Sequence, residues 1–158
     1  RDVSSRYVMW LNSKKKNQFL ESRLSKQTIL SCKKFVKNSL KNNNSYLFGI
    51  YLKKLNIHIG NIKLFVSHKK EKIGDIGIII GEKKYQGKGY GVESIKRITS
   101  FGFKKIKLKR IQAGFYEPNK LGLKIFLKSG YTIDGILKSY YIYKNKRVSR
   151  ILTSILNK

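Results

Sequence analysis

Gly87, Gly89 and Gly91 fall within five positions, with Lys88 between the first two, in the stretch Tyr85-Gln-Gly-Lys-Gly-Tyr-Gly91. The apolar run Ile76-Gly-Ile-Ile-Ile80 lies just upstream. Bare backbone ahead of a helix exposes amide N–H groups and suits an anion, phosphate above all. Counting excludes two familiar phosphate loops. A GxGxxG fingerprint begun at Gly87 needs glycine where Val92 stands, and one begun at Gly89 needs it at Ser94. The pattern GxxxxGK[ST] fails as well, because five residues separate Gly81 from Gly87 and Gly89 follows Lys88. A plain glycine turn stays open on the loop alone. Other chemistries have less to build on. Cys32 is the only cysteine, so an internal disulfide is impossible, and its place on an apolar helix face reads as core. His58 and His68, ten residues apart in expected strands, make no metal site.

The elements that must position this loop follow from hydrophobic periodicity. A short helix is expected over Ser5–Leu11 and a longer one from a Ser25 cap to about Leu40, with Ile29, Cys32, Val36 and Leu40 as its stripe. Two strands, Tyr46–Leu52 and Ile57–Val66, read as a hairpin, with a bulge across Gly60-Asn61 where apolar parity slips. Lys72–Ile80 is a strand, and Val92, Ile95, Ile98 and Phe101 mark a helix of about 14 residues after the loop. Arg110–Tyr116 is a strand, Asn119–Ser129 a helix, and the remainder a closing pair of strands. The sum is an α+β domain over 1–158, a mixed sheet flanked by about four helices with one strand–glycine loop–helix unit. Arg1 lies inside what reads as a first strand and is not preceded by Met, so a few earlier residues are expected.

The formal net charge is +28. Lysine outnumbers arginine 29 to 7 and is spread along the whole chain, a pattern that argues against a dedicated nucleic-acid surface. The charge still attracts anions and repels polycations. No apolar run approaches the roughly 18 residues of a membrane span and no signal peptide is visible, so a cytoplasmic protein is expected.

Gln86-x-x-Gly89-x-Gly91, after a strand and before an amphipathic helix, resembles the acyl-CoA pyrophosphate loop of the GNAT N-acetyltransferases. Asn119-x-x-Gly122-x-x-x-Phe126-x-x-x-Gly130-Tyr131 is similar to that family's second motif. The opening Tyr7–Arg23 and the ending Lys138–Leu156 resemble the RimJ/RimL branch, so the likeness covers nearly the whole chain. The resemblance implies the GNAT fold, with a twisted, mostly antiparallel sheet, and acetyl-CoA as cosubstrate. The amides of Gln86, Gly87, Lys88, Gly89, Tyr90 and Gly91 would cradle its pyrophosphate, with the dipole of the next helix behind them. Lys83, Lys84 and Lys88 would attract the anion or remain solvated lysines. Ile78, Ile79 and Ile80 would pair with the pantetheine as an added strand, and the Ile80 N–H would meet the oxyanion, a contact worth about 3–4 kcal/mol. Asn119 would orient the cofactor or cap its helix.

The implied reaction is direct attack of an amine on the acetyl thioester. Glu117 is the candidate base, though an ordinary loop carboxylate would look the same. Phe126 stands where relatives often carry a tyrosine that protonates the thiolate. Tyr116 or a tyrosine of the 140–143 cluster would replace it, or the thiolate would leave unassisted. Ser149 stands where many relatives carry aspartate, which puts acceptor contacts there in doubt. Acceptor residues would come from the first helices and the last strands: Trp10, Glu21, Arg23, Tyr140 and Tyr141, though Trp10 reads better as a core aromatic. Charge favours a small anionic amine, a nucleotide-linked amino sugar, over polyamines, with a protein N-terminal amine second. A homodimer is compatible with this reading. A non-catalytic basic module for nucleic acid is the alternative from another class, and salt titration separates them.

Overall fold

A computed structural model describes residues 3–157, the side chains of Lys16 and Glu21 excepted. Ser4 opens the first helix, α1 (Ser5–Asn12), its Oγ accepting from the Tyr7 N–H. The strand expected at the start falls on residues 1–2, outside the described residues, and Val3 and Ser4 form none. After the short α2 (Lys14–Asn17) and a 3-10 turn at Glu21–Leu24 comes α3 (Ile29–Lys41). Its cap is Thr28, not Ser25. Thr28 Oγ1 accepts from the Ser31 N–H and Ser31 Oγ returns the bond to the Thr28 N–H, a reciprocal box that fixes the helix start. Its buried face also differs from the expected stripe. Cys32 and Ser39 are buried, while Ile29 and Leu40, at the helix ends, are exposed.

Six strands follow the order β1-β2-β3-β4-β6-β5. They are β1 (Ser45–Leu52), β2 (Ile57–His68), β3 (Ile73–Ile80), β4 (Arg110–Tyr116), β5 (Thr132–Tyr143) and β6 (Lys146–Leu156). All neighbours are antiparallel except β3 and β4, which need a crossover and use α4 (Tyr90–Lys104) for it. The last helix is α5 (Lys120–Lys128). The β2 bulge is real but sits one residue earlier than expected. Ile50 pairs with Gly60 and Tyr51 with His58, so Ile59 is the extra residue.

Helices cover both faces of the sheet. On one, α4 and α5 bury Ile62, Leu64, Ile95, Ile98, Ile111 and Phe115 in the main core. On the other, Tyr7, Trp10, Leu11 and Cys32 form a second cluster against Ile79. Burial pushes the Cys32 thiol up, which keeps it neutral and unreactive, as its reading as core requires. No helix among the described residues is long and apolar enough to cross a membrane.

Candidate functional site

The site begins where the sheet stops being a sheet. β3 and β4 pair only over Ile73–Asp75 and Arg110–Gln112. Gln112 Nε2 donates to Asp75 Oδ1 at 3.1 Å and locks the apex. Beyond it the two strands continue to Ile80 and Tyr116, each paired only to its outer neighbour, and a gap opens between them.

Antiparallel alternation decides which amides face the gap. The Gly81 N–H donates to the Ile59 carbonyl at 2.8 Å, so the odd-numbered residues of β3 bond to β2. Ile78 and Ile80 therefore turn their N–H and C=O groups toward the gap, and Ile79 does not. Gln86 Nε2 donates to the Ile80 carbonyl at 2.8 Å and holds the strand end against the glycine loop. Sequence reasoning grouped the three isoleucines together. The structure separates them: Ile79 packs on the Trp10 cluster and Ile78 on the main core.

The loop itself turns on two left-handed residues, Gly87 (φ 75°) and Gly89 (φ 87°). Gly89 is the N-cap of α4, where no side chain satisfies the first-turn amides. A Cβ at either glycine would meet nothing within 4 Å. Their glycine character thus comes from backbone conformation, and the open space beside them is room for a ligand. The Gln86 N–H, expected in the cradle, is taken by the Lys83 carbonyl at 3.1 Å. From Gly87 on, the amides, the helix dipole and that space fit a diphosphate. Lys84 stacks on the Tyr85 ring, with its ammonium 5.0 Å from the centroid.

Two residues expected at the site lie in the core. Trp10 is 0% exposed, its ring against Gly81 and its Nε1–H donating to Glu82 Oε1 at 3.1 Å. It supports the strand end from below and cannot touch an acceptor. Phe126 is 2% exposed, edge-on to both Phe115 and Tyr131 at 5.0 Å, and offers no surface to a cofactor. Asn119 caps α5, with Oδ1 accepting from the Gly122 N–H at 3.1 Å. Glu117 is exposed at the end of β4, its Oε2 accepting from the Ser149 N–H at 3.3 Å. Glu21 keeps its place in the 3-10 turn, but its side chain lies outside the described residues.

The rest of the expected acceptor set converges on one stack. Tyr116 and Tyr141 lie ring on ring, 3.8 Å apart and 14° from parallel. Arg23 covers the Tyr116 face and donates to its hydroxyl at 2.8 Å. Arg150 stands over Tyr141 and Tyr140. Phe19 and Tyr143 extend the aromatic wall. Arg150, Phe19 and Tyr143 were not singled out from the sequence. The scarcity of arginine in a lysine-rich chain was the one available signal for Arg150. Beside this wall a cavity of about 750 Å³ is lined by Lys14, Arg23, Lys26 and Lys144, and by no Asp or Glu among the described residues. A second cavity, about 340 Å³ and mostly apolar, lies between β1 and α4 and takes no residue from β4. Among the described residues no cluster of His, Cys, Asp or Glu forms a metal site.

Comparison with known proteins agrees with this architecture. The model of the acetyltransferase (GNAT) domain matches residues 3–132. Relatives include the probable N-acetyltransferase YjcK of Bacillus subtilis, 28% identical over 63% of this chain and 55% of its own length. The uncharacterised N-acetyltransferase YnaD of the same organism is 32% identical over 64% and 58%. The matched stretches thus span about half the length of these relatives. Among solved structures, the spermidine N-acetyltransferase of Vibrio cholerae, in complex with CoA and spermine, superposes with TM-score 0.82 at 16% identity. It covers 95% of this chain and 87% of that one. A GNAT-family acetyltransferase of Bacillus anthracis gives 0.80 at 23% identity, covering 94% and 86%. At these identities the superpositions establish the fold.

Proposed function

The chain belongs to the GNAT acetyltransferase family, and we propose that it transfers the acetyl group of acetyl-CoA to the primary amine of a nucleotide-linked amino sugar. The transfer is a direct attack: the amine nitrogen bonds to the thioester carbon, the C–S bond breaks, and an amide and a free thiol result. The diphosphate of the cosubstrate lies on the amides of Gly87–Gly91, and its pantetheine lies along the gap-facing edge of Ile78 and Ile80. The Ile80 N–H, free of β2, donates to the thioester oxygen as negative charge develops there. Glu117, held by the Ser149 amide, takes the ammonium proton through water. Tyr116 gives its proton to the thiolate, and the second proton that leaves the nitrogen as the amide forms restores the phenol. Arg23 donates to the Tyr116 oxygen and so leaves the phenolic proton free to be given elsewhere.

One observation carries the acceptor class: the cavity lined by Arg23 and Tyr143 presents four basic side chains. Such a lining repels polyamines and attracts a diphosphate-linked sugar. The opening and closing segments support a RimJ/RimL-like placement, and a single domain acting in the cytoplasm fits the composition. The test is thiol release from acetyl-CoA with a UDP-linked amino sugar, Ala- and Ser-starting peptides, and spermidine. Release is expected with the nucleotide sugar; a preference for a peptide or for spermidine overturns the acceptor assignment.

A further inference from the structure

Among the described residues, Arg150 has no anionic partner. Its Nε is buried and has no hydrogen-bond partner among the described residues. Its one side-chain bond among the described residues is a long one, Nη1 to the Tyr140 hydroxyl at 3.4 Å. The one ion pair among the described residues, Arg110 with Asp134, does not involve it. A buried N–H donor with no acceptor is costly, and the cost falls when an oxyanion accepts from it.

The surroundings are built to hold it there. Arg150 pairs with Tyr116 across β4 and β6, so both side chains share the face that carries the aromatic wall. The guanidinium lies on Gly114, where a Cβ would come within 2.5 Å of Nε and displace it. β5 bulges between Leu137 and Tyr141, with Ser139 at φ 53°, a costly conformation for a non-glycine residue. The bulge brings Tyr140 beside Arg150, its ring centroid 5.2 Å from Cζ. A Cβ placed at Gly77 of β3 would meet nothing within 4 Å, so the space beside that strand stays open.

We propose that Arg150 is the specificity-determining residue that binds a phosphate oxygen of the acceptor, fixing the sugar amine beside Tyr116 and the end of β3. The inference rests on the acceptor reading above and adds the residue that enforces it. Tyr140 and Tyr141 keep the planar fork oriented, which lysine at this place could not reproduce.

The experiment is calorimetric titration of UDP, with uridine as the phosphate-free control, into protein saturated with CoA so that the glycine loop is filled. The wild type should bind UDP at least about tenfold more tightly than uridine. In Arg150→Met this preference should collapse to within about twofold, and Arg150→Lys should retain part of it. The rise in melting temperature on adding CoA should be the same in all three, which reports an intact fold. If the Met variant fails that control, Arg150→Lys and Tyr140→Ala carry the test, each with an expected loss of UDP preference of about threefold or more. A wild type that binds UDP no better than uridine overturns the anionic-acceptor reading. A wild type that prefers UDP, with folded variants that prefer it equally, leaves that reading standing and overturns the role of Arg150.

Discussion

The two ends of the gap between β3 and β4 are made of different material. The loop end is main chain: the amides of Ile78 and Ile80, the amides after Gly87, and a glycine cap on α4. The β4 end is side chain: Arg23, Tyr116, Tyr141 and Arg150 in one stack drawn from the 3-10 turn, β4, β5 and β6. Backbone presents the same donors whatever the residue, so the loop end suits a cosubstrate common to a family. Side chains bring chemistry that backbone cannot, so the β4 end is the part of the gap suited to choosing an acceptor.

Proline at Ile80 tests the contrast most severely. The Ile80 N–H makes no ladder bond to β2, so Ile80→Pro should lower kcat about 100- to 1,000-fold while melting stays close to wild type. Ile79→Pro, which removes a bond to β2, should instead lower the melting temperature. Equal turnover losses with unchanged melting in both would dissolve the distinction. Next in size is Gly89→Val. A β-branched residue at φ 87° costs about 1–3 kcal/mol, and the misdirected amides should weaken acetyl-CoA binding on the order of 10- to 100-fold. Calorimetry with CoA reads this directly, and UDP binding at the β4 end should be spared.

A smaller effect is expected for Gln86→Ala. Losing the bond to the Ile80 carbonyl should cost about 0.5–1.5 kcal/mol, a two- to tenfold loss in kcat/KM. The smallest expected effect is structural and alkaline. Burial, and next the neighbouring Cys32, push the Tyr7 hydroxyl up to about 12 from 10.0. The folded state keeps that proton while the unfolded chain loses it, so this contribution to stability is whole below pH 10 and disappears as pH rises toward 12. Tyr7→Phe should flatten that part of the melting-temperature curve. It should leave transfer unchanged, because Tyr7 lies under the strand end with Trp10 and outside the gap.

Much of the architecture was legible because its determinants are local. Glycine at 87 and 89 answers a backbone conformation that other residues resist. The α4 stripe of Ile95 and Ile98 buries as its spacing requires, and Asn119 caps α5 from the position that such caps occupy. Where a local signal competed with another, it misled. Ser25 and Thr28 are both cap residues, and only the reciprocal bond with Ser31 chose between them.

The sequence by itself determined the family, the order of elements and the glycine loop, since each depends on residues within a few positions of one another. The tertiary structure alone decided that Ile80 and not Ile79 faces the gap, because that follows from register with β2. It also decided that Trp10 and Phe126 are buried, through contacts with Glu82 and with Phe115 and Tyr131. The assembly of Arg150, Tyr141, Tyr116 and Arg23 depends on two strand pairings, two bulges and the placement of the 3-10 turn. No spacing encodes it, because a one-residue register shift in β5 or β6 would turn that strand's side chains to the opposite face.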